Sequence, residues 1–156
     1  MPVLYGGVDL KVLDRFKLRA SEALVNGWVE RGVRDACEVI CRYPGATTMW
    51  SCHGHGPYSK KNSPGEFHVV FVLGVGFEHK AHELVAELMK ADIPPLWDLS
   101  MARLMYPDDD FVYDLSEITL KNTYNAWKIT YRYLHTEQSL REIRKVFHTV
   151  CKKVFN

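Results

Sequence analysis

No stretch of this chain is apolar for long enough to cross a bilayer. The longest run, Val69–Val75, falls far short of the roughly 20 residues a membrane helix needs. Neither sign of charge is in excess either. The formal net charge is +1, so no whole-molecule field draws the protein to nucleic acid or anionic lipid. Any basic site has to be local, and neither a membrane partner nor a large nucleic-acid footprint is expected. Cysteine is sparse: Cys37, Cys41, Cys52 and Cys151 are scattered along 156 residues. A chain of this size can bury a core without disulfides, so the thiols read as reduced and the setting as cytoplasmic. Cys37 and Cys41, four apart on an expected helix, read as core thiols. The start, Met1-Pro2-Val3-Leu4-Tyr5, lacks the basic segment and apolar stretch of a signal peptide. Repeats, low-complexity tracts and linkers are also missing, which points to one domain over residues 1–156.

What is present is patterned. Leu13, Phe16, Ala20, Ala23, Leu24 and Trp28 recur at helical spacing, predicting a helix over Asp9–Glu30 with Asp9 as its cap. Gly32 reads as a break before a second helix, Val33–Arg42, with Val33, Ala36, Cys37 and Ile40 inward. Pro44-Gly45 ends it. Ala46–Cys52 is rich in β-branched residues and reads as a strand. Glu66–Leu73 is the clearest strand. Its alternate residues are apolar on both sides, as in a central strand covered on both faces. A hairpin joining these two strands is expected. Gly74-Val75-Gly76 leads to a third helix, Phe77–Ala91, stopped by Pro94-Pro95. Three β-like runs follow: Trp97–Met105, Phe111–Leu120 and Tyr124–Tyr133. In the last, Trp127, Ile129, Tyr131 and Tyr133 share one face and Lys128, Thr130 and Arg132 the other. A final helix carries Leu140, Ile143, Phe147, Val150 and Val154, with Ser139 to Glu142 matching a capping box and Thr136 as a rival cap. Arg141, Arg144, Lys145, Lys152 and Lys153 read as its solvated basic side. The order ααββαβββα predicts an α+β single domain, with a mainly antiparallel sheet of about five strands and about four helices.

The chemistry concentrates between the first two strands. Ser51, Cys52, His53, Gly54, His55, Lys60 and Lys61 bring a hydroxyl, a thiol, two imidazoles and two ammonium groups to a glycine-rich bend. Gly54 and Gly56 let backbone N–H groups approach a ligand. Phosphate, carboxylate or nucleotide suits this set, as does an ordinary polar turn. Cys52 with His55 is a candidate nucleophile and base. His53, His55, His68, His79 and His82 are candidate metal ligands, although no zinc spacing is present. Gly74-Val75-Gly76 offers a phosphate the N-terminus of the third helix, or simply makes a turn. Trp97 reads as core, and Asp108-Asp109-Asp110 as a solvated turn. Tyr124, Lys128, Arg132 and Arg103 suggest a polar sheet face able to stack on a base and neutralise a phosphate.

The stretch Thr47-Thr48-Met49-Trp50-Ser51-Cys52-His53-Gly54-His55 resembles the Thr-Thr-Ser-Ser-Cys-Ser-Gly-Arg signature of the wybutosine-synthesis tRNA methyltransferase family. It also resembles a Thr-x-Trp-Ser-Cys-x-Gly-His pattern of small phage and bacterial proteins. The match spans fewer than ten residues and places Ser51, Cys52 and Gly54 in the family's conserved loop. Trp50, His53 and His55 depart from that signature. The first resemblance implies an RNA-modifying transferase, the second a phage-type protein that sequesters a signalling nucleotide.

The leading expectation is a protein binding an anionic, nucleotide-like small molecule through the Ser51–Lys61 loop, with Arg132 from the sheet face. The alternatives are an enzyme, either a hydrolase or an RNA-modifying transferase using Cys52 and His55 or a His-bound metal, and an interaction module acting through a sheet edge. The sequence specifies no cofactor and leaves a homo-oligomer open.

Overall fold

Every residue of β3 (Phe67–Gly74) is buried except His68, as its double-sided apolar pattern requires. The sheet is built around this strand. The computed structural model describes residues 6–54, 66–105, 123–132 and 137–156. These form a single α+β domain with four helices and a five-stranded, mostly antiparallel sheet curled into a half-barrel. The order is β1 (Gly7–Val8), α1 (Leu10–Val25), α2 (Arg31–Arg42), β2 (Ala46–His53), β3, α3 (His79–Met89), β4 (Trp97–Met105), β5 (Thr123–Tyr131) and α4 (Glu137–Val154).

β2 pairs antiparallel with one side of β3, from Ala46↔Leu73 to His53↔Phe67, with a register shift between Thr48 and Trp50. This is the expected hairpin. β5 pairs antiparallel with β3, and β4 closes the row antiparallel to β5. β1 is an addition to the expected order. It runs parallel to the end of β3, Gly7 opposite Leu73, and two residues carry no periodicity by which to be found. The expected strand Phe111–Leu120 lies outside the described residues, as do Tyr133, Asp108-Asp109-Asp110 and the loop from His55 to Gly65.

Three helix boundaries differ from expectation for local reasons. α1 stops at Val25 because Gly27 takes φ +70°. The Gly27 and Trp28 N–H groups then return to the Leu24 and Ala23 carbonyls, a Schellman-type close. Trp28 is thereby thrown outward and is 70% exposed, not inward as the periodicity suggested. Gly32 lies inside α2 rather than before it. Ser139 lies inside α4, which starts at Glu137, so the capping-box reading fails; its rival Thr136 lies outside the described residues. Asp9 does cap α1, its carboxylate accepting the Lys11 N–H at 2.9 Å.

The sheet divides the core. On one face Phe67, Val69, Phe71 and Ile129 meet Ile40 of α2, Leu84 of α3 and Phe147 of α4. On the other, Val70, Val72 and Ala126 meet Val8 and the α1 residues Leu13 and Phe16. The inward residues expected of α2, namely Val33, Ala36, Cys37 and Ile40, are all buried. Lys17 of α1 ties the layers at one corner. Its ammonium donates to the Cys41, Tyr43 and Ala46 carbonyls, each at 2.7 Å, and so satisfies the end of α2 and the start of β2. No helix among the described residues is long and apolar enough to cross a membrane.

Candidate functional site

Strand alternation separates residues that the sequence places side by side. Ser51 and His53 pair with Val69 and Phe67 on the face covered by α2, α3 and α4, whereas Cys52 pairs with His68 on the other. Ser51 faces the Cys37 thiol of α2 closely enough to act on its titration. Burial pushes that thiol's pKa up to about 12, with neighbouring Cys41 adding to the rise. Ser51 is thus turned to the packing of β2 on α2.

His53 is a structural clamp. Its Nδ1 accepts the Gly32 N–H at 3.1 Å, and its Nε2 lies 3.0 Å from Glu30 Oε2. The geometry assigns the ring proton to Nε2, because Nδ1 faces a donor. Gly32 is in the first turn of α2, where backbone N–H groups lack helical partners. Glu30, the N-cap, makes no side-chain cap bond to its own helix. The imidazole supplies the acceptor instead, while Glu30 Oε1 takes the His53 N–H at 3.3 Å. Glycine at position 32 permits this approach: a Cβ there would stand 2.7 Å from His53 Nδ1 and 2.8 Å from Arg144 Cδ. From α4, Arg144 donates to the His53 carbonyl at 2.7 Å and the Gly54 carbonyl at 2.9 Å. Gly54 takes φ +81°, and a Cβ there would run into Leu140. Its lack of a side chain therefore serves the seating of α4 on the end of β2.

The opposite face carries a different set. The register sets Cys52, His68, Thr130 and Asp98 in one row across β2, β3, β5 and β4. Directly opposed residues in such a row have Cβ atoms about 4.5–5.5 Å apart. The adjacent row is Trp50, Val70, Lys128 and Ser100. Arg132 follows β5, and its guanidinium meets Asp98 at 3.0 Å. Trp50, Ser100 and Arg132 are exposed, and Cys52, His68, Asp98 and Lys128 are partly so. This is the polar sheet face expected from Lys128 and Arg132. Tyr124, expected in the same set, instead lies edge-on to Phe16 at 5.9 Å, under α1. Arg103 pairs with Asn125 in the β4–β5 ladder.

His68 is the central group of the polar face. Its Nδ1 lies 3.2 Å from the Glu66 carbonyl, which can only accept, so Nδ1 holds the proton and Nε2 is the basic nitrogen. Burial lowers its pKa and Lys128 adds to the fall, against the Glu66 carbonyl, Glu66 and Glu30, which raise it. Beside this face, Arg19, Trp28, Met49, Trp50 and Ser51 line a cleft of about 340 Å³ between α1 and β2.

The remaining candidates sit apart. His79 and His82 are exposed on α3, and the His82 ring lies 5.7 Å from Trp127. No group of three or more potential metal ligands occurs among the described residues. Gly74-Val75-Gly76 makes a turn, with Gly76 at φ +94°. Its Gly76 N–H is taken at 2.9 Å by Glu78, a buried carboxylate at the start of α3. Trp97 is core, as expected. His55, Lys60 and Lys61 lie outside the described residues.

Sequence reasoning missed Glu30, Gly32 and Arg144, which come to His53 from distant points in the chain. It named His68 only as a metal ligand and passed over its place beside Cys52. Alternation along β3 gives the face of His68, but only the hairpin register gives its partner.

The fold defines an α+β domain whose sheet is covered by α2, α3 and α4 on one face and in part by α1 on the other, where the remaining surface is polar. No family model, curated protein or solved structure matches the chain.

Proposed function

We propose that the protein binds an anionic, nucleotide-like small molecule on the polar half of the α1-side face. Lys128 and Arg132 supply positive charge, and Trp50 supplies a stacking surface at the rim. The observation that supports this reading most is the register. It sets a lysine, an exposed indole and a half-buried imidazole in adjacent rows, with an arginine at the strand end. Arg132 is held by Asp98, yet their side chains are 67% and 41% exposed. Such a pair is weak, and a phosphate can claim the guanidinium with two parallel hydrogen bonds. Lys60 and Lys61, in the segment joining β2 to β3, complete the donor set of this proposal. His53 and Gly54 act in it as the stem that fixes where that segment departs. A nucleotide that carries no acyl group is retained there without change, in line with the sequestering resemblance.

Thermal melting against a panel of nucleoside mono-, di- and triphosphates and cyclic nucleotides tests the proposal. At a hundredfold excess over Kd, a ligand selective for the folded state adds about 2.7 kcal/mol. That corresponds to a rise of roughly 5–10 °C for a chain of this size. The rise should disappear in a Lys128→Ala, Arg132→Ala double variant, and the bound molecule should be recovered intact. A flat panel, or a rise that survives the double variant, would rule out this face as the site.

A further inference from the structure

We propose that Cys52 is a nucleophile served by His68 as general base, acting on the acyl group of an anionic ester or thioester bound at the polar sheet face. The anionic part rests on the function proposed above; the activation of the thiol does not. Three observations converge. Cys52 and His68 are directly opposed in the β2–β3 ladder, so their side chains leave the same face. The Glu66 carbonyl fixes the imidazole with its basic Nε2 unprotonated. Both residues are partly exposed. The other cysteines lack this placement. Cys37 and Cys151 are buried with their thiols pushed up, and Cys41 Sγ is within 3.3 Å of Thr48 Oγ1. The charged groups acting on His68 are Lys128 from β5, Glu66 just ahead of β3 and Glu30 ahead of α2. Burial, with Lys128, outweighs the two carboxylates, and so favours the neutral ring that a base requires.

The step balances without oxidant or cofactor. His68 Nε2 takes the Cys52 proton as Sγ bonds to the carbonyl carbon. The C–O or C–S bond to the leaving group breaks, and the leaving group receives that proton. Water, deprotonated by the same nitrogen, then cleaves the acyl-thioester, releasing a carboxylic acid and restoring the thiol. Lys128 and Arg132 draw in the substrate's negative charge.

The test uses 4-nitrophenyl acetate and its anionic counterpart, mono-4-nitrophenyl glutarate, with intact-mass and peptide mapping. The wild-type chain should release a burst of one nitrophenolate per chain and carry the acyl group on Cys52. Cys52→Ala should abolish the burst, and His68→Gln should slow it by about 10²-fold or more. The glutarate should react several-fold faster than the acetate, an advantage lost in high salt and in Lys128→Ala. Acylation elsewhere, or a Cys52 rate equal to that of a free thiol and unchanged by His68→Gln, overturns the proposal. A His68-dependent burst with no preference for the glutarate keeps the nucleophile and overturns the anionic substrate along with the anion-binding reading. Should His68→Gln fail to fold, the wild-type pH profile decides. A rise complete below pH 7 marks imidazole, and one centred near 8.5 marks an unassisted thiol and refutes the proposal.

Discussion

Replacing His53 by alanine should cost about 2.5 kcal/mol of folding stability. The imidazole makes two side-chain hydrogen bonds, to the Gly32 N–H and to Glu30. Loss of a helix-capping acceptor costs about 1 kcal/mol. A hydrogen bond to a carboxylate contributes about 1.5–3 kcal/mol. The low end applies, because the His53 and Glu30 side chains keep 23% and 25% of their exposure, which lets water replace part of the loss. The sum corresponds to a roughly 60-fold change in the folding equilibrium and a fall in Tm of about 5–10 °C. Urea unfolding should show the loss in the midpoint at constant slope. His53→Asn keeps an acceptor near the Nδ1 position and should recover about 1 kcal/mol. In a double-mutant cycle with Glu30→Gln, a coupling of about 1 kcal/mol is expected. A loss below about 0.5 kcal/mol in His53→Ala, the range of an ordinary surface change, would refute the clamp.

Three further outcomes are expected. Gly54→Ala should destabilise by about 2–4 kcal/mol, since φ is +81° and the new methyl would displace Leu140; a denaturant midpoint equal to wild type would contradict this. Lys17→Met should cost about 1–2 kcal/mol, because three carbonyls lose their donor at a site partly open to water, and calorimetry should register it. The folded-state pKa of His68 is depressed, chiefly by burial, so the unfolded chain binds the proton more readily. The contribution of His68 is therefore complete above its unfolded value of about 6.5 and is lost as pH falls through the folded value. Stability measured from pH 7.5 to 5 should decline less steeply in His68→Gln than in wild type, and parallel curves would contradict the assignment.

Much of the architecture is legible in the sequence because it rests on local periodicity. β3 reads correctly because seven of its eight residues are buried, a consequence of its being covered on both sides. α2 reads correctly because Val33, Ala36, Cys37 and Ile40 keep strict helical spacing. The errors arise where one residue overrides the pattern. Gly27 turns the chain and ejects Trp28, although Trp28 continues the apolar stripe of α1. Gly32 looks like a breaker, yet it is needed small because an imidazole and a guanidinium lie against it. The candidate site was legible as a neighbourhood and not as a geometry. The Ser51-Cys52-His53 cluster reads as one pocket until the pleat sends its members to opposite faces. Cys52 and His68 are far apart in sequence, and only the hairpin register brings them level.

The grip of Arg144 on the His53 and Gly54 carbonyls joins positions 91 and 90 residues apart. Contacts between such remote positions close slowly, since a long stretch of chain must be ordered first. The end of β2 and the last helix should therefore open and close as one cooperative unit. Deuterium uptake at the amides of His53 and Gly54 should rise together with that of α4, well apart from the rest of β2.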